Sequence, residues 1–213
     1  MASAQTSKET RQPLDFYPTP EFYTRALLEN YPLENMYRSR KISILFPFVG
    51  DGAIPRELLN YVSFFSHYND LHDYGFPLNT QLDLSDPVNR SRLPQSDYVI
   101  DNPPYNLLSL DLIQDLYDKA DIALCLLLRQ TWYSAGTGQT GVSDRGRWLS
   151  GHPASMRITL PRYPFANNSK TGKPQTDACA HEWVIWDKTG KVFPVQNPVV
   201  TSETLEGWKW RKA

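Results

Sequence analysis

Cysteine is scarce in this 213-residue chain: Cys125 stands in an apolar run and Cys179 in a polar stretch, which makes neither a disulfide framework nor a zinc-binding spacing. A reducing compartment is the expectation. Long hydrophobic runs are missing as well. The longest, Ile122 to Leu128, falls far short of the roughly 20 residues that cross a bilayer, and the opening MASAQTSKETRQP holds no apolar signal-peptide core. Both absences predict a soluble intracellular protein with no membrane partner. Histidine contributes no metal spacing: His67 and His72 flank a strand end, His152 and His181 are isolated, and no pair stands at i, i+4. There is no internal repeat. An excess of either charge is also lacking, since the net charge is −1, which excludes a globally basic binder of nucleic acid.

What is present is the composition of a globular domain, 40% hydrophobic and 13% aromatic. At about 150 residues per domain the length predicts one domain over 15–213, preceded by a polar, mobile tail over 1–14. The charge is unevenly spread. From Arg129 to Thr176 seven cations (Arg129, Arg145, Arg147, Arg157, Arg162, Lys170, Lys173) face only Asp144, a local net of +6 that leaves −7 elsewhere. Such a stretch is what a phosphate-contacting surface would carry, although scattered solvated cations account for it equally well.

Along the chain, strands alternate with helices. Lys41–Phe46 (KISILF) reads as a strand, Pro55–Val62 as a short helix, Ser63–Tyr68 as a second strand, Thr80–Leu84 as a weaker third, and Asp97–Asp101 as a fourth. Leu107–Tyr117 has helical apolar spacing, and Ile122–Leu128 (IALCLLL) reads as a strand buried on both faces. Met156–Leu160 and Glu182–Asp187 could pair as an antiparallel hairpin around a long basic loop. The alternation predicts an open α/β sheet with helices on both faces and ligands at the carboxyl ends of its strands.

Three places there could carry chemistry. Pro47-Phe48-Val49-Gly50-Asp51-Gly52-Ala53 follows the first strand, where glycines allow a sharp turn and close backbone approach to a ligand. Asp70, after the second strand, stands where nucleotide-type α/β sites hold ribose hydroxyls, and Asp83 could accept from an adenine amine. Asp101-Asn102-Pro103-Pro104-Tyr105 follows the fourth strand. Its prolines fix an extended turn that would aim the Asn102 side-chain oxygen and the Pro103 carbonyl at one point beside the Tyr105 ring. Two acceptors converging on a planar amine favour a pyramidal nitrogen with a free lone pair, a stabilisation that grows toward the transition state.

The order Tyr17-Pro18-Thr19-Pro20, Pro47-x-x-Gly50-Asp51-Gly52-Ala53, Asp70, Asp83 and Asn102-Pro103-Pro104-Tyr105 resembles the S-adenosylmethionine-dependent DNA adenine N6-methyltransferases, most closely the small phage and prophage enzymes. The likeness covers roughly residues 15 to 130. It implies a Rossmann-like, seven-stranded, mostly parallel sheet of the class I methyltransferase type with one antiparallel strand. It further implies Asn102, Pro103, Pro104 and Tyr105 as the catalytic group. Tyr17, Thr19, Pro20, Pro47, Gly50, Asp51, Gly52, Asp70 and Asp83 are implied as the cofactor-binding group. DNA is then the implied partner, single- or double-stranded, with RNA possible, and the cytoplasm of a bacterium or phage-infected cell the implied place. The Asn-Pro-Pro-Tyr tetrad also serves other amine and amide nitrogens, so an RNA adenine, a protein glutamine amide, or a catalytically silent nucleic-acid-binding module stay open.

One position departs from the pattern: Phe46 stands where the family carries an acid before Pro47, which removes a partner for the cofactor's amino group. Recognition of nucleic acid is expected from 129–176, with Arg145, Arg147 and Arg157 on phosphates and Trp132, Tyr133, Trp148 and Tyr163 nearby.

Overall fold

A computed structural model of the chain describes residues 18–31, 33, 41–133, 137–138, 141–163, 166–167, 174–175, 180–191 and 197. The expected tail over 1–14, Tyr17, Cys179 and most of the expected basic loop lie outside the described residues.

In chain order the elements are α1 (Glu21–Asn30), β1 (Ile42–Phe46), α2 (Ala53–Leu58), β2 (Phe64–Tyr68), α3 (Pro87–Ser91), β3 (Ser96–Asp101), α4 (Leu110–Lys119), β4 (Ala120–Arg129) and α5 (Gln130–Tyr133). There follow the short β5 (Thr137–Gly138) and β6 (Gly141–Val142), α6 (Asp144–Gly151), β7 (Met156–Thr159), the short β8 (Ala166–Asn167) and β9 (Pro174–Gln175), and β10 (His181–Asp187). The main sheet has the order β2-β1-β3-β4-β10-β7. β2, β1, β3 and β4 run parallel, and β10 lies antiparallel to both of its neighbours, so the expected hairpin partners do meet.

Alternation along each strand builds two cores. Ile44 and Phe46, Tyr98 and Ile100, Ala123, Cys125 and Leu127, and Trp183 and Ile185 pack on one face together with residues of α1 and α2. Leu45, Val99, Leu124, Leu126, Leu128, Val184 and Trp186 pack on the other against α4, α5 and α6. Period-2 geometry thus explains why the apolar run of β4 is unbroken: it must satisfy a helix layer on each side. In α4, Leu112, Ile113 and Leu116 bury one stripe, the Ser109 hydroxyl caps the start by accepting from Leu112 N, and Asp111 and Lys119 complement the helix dipole at its two ends.

The expected seven-stranded sheet has six strands among the described residues, β5, β6, β8 and β9 forming two separate two-stranded ribbons. Thr80–Leu84 is no strand; only a bridge between Asn69 and Thr80 survives of it. The reason is local. The buried Asn69 side chain accepts from Leu82 N at 2.9 Å and donates to Leu82 O at 3.2 Å, so an amide satisfies backbone groups that a strand ladder would otherwise pair. The same Asn69 donates to Pro47 O at 3.0 Å, and its own backbone bonds Phe46 O and Val49 N. One side chain therefore fixes the ends of β1 and β2 together. Helices α1, α3, α5 and α6 had no counterpart in the sequence reading.

Candidate active site

The carboxyl ends of β1, β2 and β3 open on a cavity of about 470 Å³. Its first wall is the turn after β1. Gly50 and Gly52 adopt left-handed backbone, φ 57° and 82°, which only glycine enters without strain. Asp70, buried at the end of β2, clamps that turn: one carboxylate oxygen accepts from Gly50 N at 2.8 Å and the other from His72 N at 3.0 Å. Each oxygen keeps a further lone pair for a ligand hydroxyl. Asp83 lies across the cavity, its carboxyl held below the usual carboxylate range by hydrogen bonds from Ser85, and it stays ionised as an acceptor at neutral pH.

The second wall is Asn102-Pro103-Pro104-Tyr105. The buried Thr19 hydroxyl oxygen accepts from Asn102 Nδ2 at 3.1 Å, and the Tyr105 hydroxyl donates a longer bond of 3.4 Å to Asn102 Oδ1. The amide is thereby oriented with its nitrogen engaged by Thr19 and its oxygen on the Tyr105 side. The Arg129 guanidinium lies 4.4 Å from the Tyr105 ring centre, and the His181 ring is tilted against that ring at 5.8 Å. A cation over an aromatic face at this distance is worth about 0.5–2 kcal/mol and fixes the ring's position.

The lining brings together Thr19, Gly50, Asp51, Asp70, Asp83 and all of Asn102–Tyr105. Pro20, Pro47 and Gly52 stand one step behind it. Pro20 caps α1, Pro47 offers its carbonyl to Asn69, and Gly52 begins α2 beneath the Phe76 ring. Phe46 is wholly buried among Phe64 and Tyr68, away from the lining.

The three arginines expected on phosphate do not form one cluster. Arg157 makes a bidentate pair with the buried Glu182, Nε donating to Oε1 at 3.1 Å and Nη2 to Oε2 at 2.9 Å, and covers the Tyr133 ring at 4.4 Å. Arg145 is half-buried over Trp132, 5.2 Å from its ring centre. Arg147 is exposed and pairs with Asp144 within its own helix at 2.9 Å. Trp148 stacks on His152 at 4.9 Å, and Tyr163 packs edge-on against Phe22.

Sequence reasoning missed several lining or supporting residues. Asp101 accepts from Phe48 N at 2.6 Å and from Asn102 N at 2.8 Å, joining the glycine turn to the tetrad. Its signal was its place, a carboxylate ending a buried strand directly before the tetrad. Asn69 offered only its place, a polar residue directly after β2 and before Asp70. Arg129 entered only as a charge, and nothing in the sequence links it to Tyr105.

No protein-family model matches the chain, and no curated protein matches it. Solved structures do. A Listeria monocytogenes protein described as a class I S-adenosylmethionine-dependent methyltransferase superposes with a TM-score of 0.59 at 16% identity, covering 91% of this chain and 68% of that one. The methyltransferase subunit of a type I restriction-modification system from Streptococcus thermophilus gives 0.58 at 12%, covering 94% and 52%. A Pyrococcus horikoshii protein described as an RNA methyltransferase gives 0.55 at 13%, covering 86% and 93%. The chain thus spans about two thirds of the first and half of the second. These likenesses establish the fold: a class I methyltransferase sheet carried on six strands among the described residues.

Proposed function

We propose that this protein transfers a methyl group from S-adenosylmethionine to the N6 amine of adenine in DNA. The observation that carries the reading is the convergence on one cavity of Thr19, the Gly50 turn, Asp70, Asp83 and the Asn102–Tyr105 tetrad. The lining fits the cofactor. Asp70 and Asp83 would offer acceptors to a ribose diol and an adenine amine, and four aspartates line the cavity (Asp51, Asp70, Asp83, Asp101) with no lysine or arginine among the lining residues, a field that suits a cation.

S-adenosylmethionine supplies an electrophilic methyl carbon on a sulfonium. The chain's part is to hold the amine. Asn102 Oδ1 and the Pro103 carbonyl accept its two hydrogens, which localises the lone pair on nitrogen, and Tyr105 supports the base by stacking, worth about 1–3 kcal/mol in single-strand binders. Thr19 keeps the Asn102 amide from turning its donor side toward the amine. The cofactor would supply its methyl carbon to that lone pair, its sulfur keeping the carbon–sulfur electrons, and the amine's surplus proton would pass to water. In duplex DNA the adenine must first leave the stack.

The test is nucleoside mass spectrometry on unmethylated duplex DNA, single-stranded DNA and RNA incubated with methyl-labelled S-adenosylmethionine, with Asn102→Ala as control. Label in N6-methyladenine of DNA that disappears in the control supports the reading. Label in RNA alone moves the substrate to RNA. No label in any polymer, with cofactor binding intact, points to a protein amide.

A further inference from the structure

Asp101 is used by nothing in that mechanism, yet it is the most buried carboxylate of the cavity wall, 1% exposed. A buried carboxylate needs a reason. Two backbone N–H bonds hold it, from Phe48 of the glycine turn and from Asn102 of the tetrad, so it sits at the junction of the two walls. Each oxygen accepts once and retains a lone pair. Burial pushes its carboxyl up to about 7, against the two N–H bonds and with the charge of Asp70 adding to the rise.

On the proposed reaction, the sulfonium is the cofactor charge brought to the tetrad. A methyl group delivered in line to an amine held by Asn102 and Pro103 brings its sulfonium beside the tetrad, and Asp101 directly precedes that tetrad. The methylated cofactor carries a sulfonium, an ammonium and a carboxylate, a net +1; the demethylated product has lost the sulfonium charge and is neutral overall. We propose that Asp101 is a specificity residue whose ionised carboxylate selects the sulfonium cofactor over its neutral product. This rests on the methyltransferase reading. Product then leaves a site it no longer suits, and cofactor binding is linked to the ionisation of one group. The other charged or titratable groups facing the same space are Asp51 from the glycine turn, Asp70, His72 and Tyr74 after β2, Asp83 from the following loop, and Tyr105 of the tetrad.

Isothermal calorimetry of S-adenosylmethionine and S-adenosylhomocysteine between pH 5.5 and 7.5 tests this, on the intact chain and on Asp101→Asn, with circular dichroism to check folding. The sulfonium ligand binds the ionised form, so its affinity falls by about tenfold or more as pH drops through that window. Buffers of different ionisation enthalpy register a proton released on binding near pH 6.5, and the product shows neither effect. In Asp101→Asn the slope vanishes, the sulfonium ligand binds about tenfold or more weakly at pH 7.5, and the product changes by less than about threefold, because only one ligand loses a charge pair.

If folded Asp101→Asn keeps the preference or keeps the slope, the proposal is overturned while the methyltransferase reading stands. Equal loss for both ligands also overturns it, since the carboxylate then reads the amino group they share. Should Asp101→Asn not fold, the intact chain decides: a flat sulfonium profile refutes the proposal, and a slope confined to the sulfonium ligand supports it. An intact chain that binds neither ligand refutes the methyltransferase reading and this proposal together.

Discussion

The cavity and the basic stretch were both visible as patterns of residue types, and the fold treats them in opposite ways. At the cavity, Thr19, Gly50, Asp70, Asp83 and Asn102–Tyr105, spread over nearly ninety positions, come to line one space. In the stretch from Arg129 onward, cations adjacent in sequence separate: Arg129 turns to Tyr105, Arg145 to Trp132, and Arg157 to Glu182. Residues that follow successive strands of a parallel sheet must meet, because the sheet puts all those ends on one edge. A run of like charge imposes no such geometry. Each cation settles on whatever carboxylate or ring lies within reach of its long side chain. Motifs at strand ends therefore carry positional information that a charge count does not.

The largest effect that would sharpen the contrast is expected at Asn102. On the proposed reaction Asn102→Ala deletes one of the two acceptors for the amine, and it removes the amide that bonds Thr19. Single-turnover methyl transfer should fall about 10²- to 10³-fold, the usual cost of one preorganised hydrogen-bonding group, while S-adenosylmethionine affinity changes by less than about threefold. A parallel loss of cofactor binding would merge the two walls into one binding unit and break the assignment of separate roles.

Arg157 should behave as a structural residue. Its guanidinium compensates Glu182, 1% exposed, whose carboxyl burial raises even with the partner in place. Arg157→Ala leaves that group unpaired and should cost about 3 kcal/mol in urea unfolding near neutral pH. The pH dependence has a definite sign. A carboxyl raised in the folded chain binds its proton more tightly there than when unfolded, so the variant's stability falls as pH climbs from the ordinary carboxylate range toward neutrality. Arg157→Ala combined with Glu182→Gln should recover much of the loss. If instead Arg157→Ala is as stable as the intact chain but binds polynucleotide weakly, the basic stretch is an interface after all.

Gly52→Ala probes the turn from beneath. A Cβ there would stand 2.1 Å from Phe76 Cδ2, on a backbone at φ 82°. The left-handed conformation alone costs about 1–2 kcal/mol, and the ring must also move. Phe76→Ala in the same chain should return the steric part and leave the conformational part, which a double-mutant cycle by thermal unfolding separates.

These cases also show what could be read in advance. β1, β3, β4, β7 and β10 were legible because buried strands need apolar alternation or continuous apolar runs, the half-buried edge strand β2 was legible from its aromatics, and α4 from its stripe. Thr80–Leu84 was misread because its alternation is real while its backbone partners are the side chain of Asn69, a contact that no periodicity encodes. The helices α5 and α6 were hidden because aromatics packed on one another, Trp132 against Trp186 and Trp148 on His152, do the work that an aliphatic stripe usually does. At the site, motif residues were legible by type and order. Asp101 and Arg129 were not, since their roles consist in whom they touch.

The smallest expected effect belongs to Arg147, the test of whether anything of the basic stretch remains for nucleic acid. It is exposed, and its only described ion pair is with Asp144, three residues before it. Such surface pairs contribute about 0–1 kcal/mol, so Arg147→Ala should unfold within about 0.5 kcal/mol of the intact chain. Its charge is the most available of the three, because Arg157 is committed to Glu182 and Arg145 is half-buried on Trp132. If it contacts a phosphate, Arg147→Ala lowers the slope of log affinity against log salt by about 0.9 on duplex DNA and about 0.7 on a single strand. Fluorescence anisotropy across a salt series reads both slopes. An unchanged slope on both polymers would remove the most exposed of the three arginines from the interface and shift the search to the cavity rim itself.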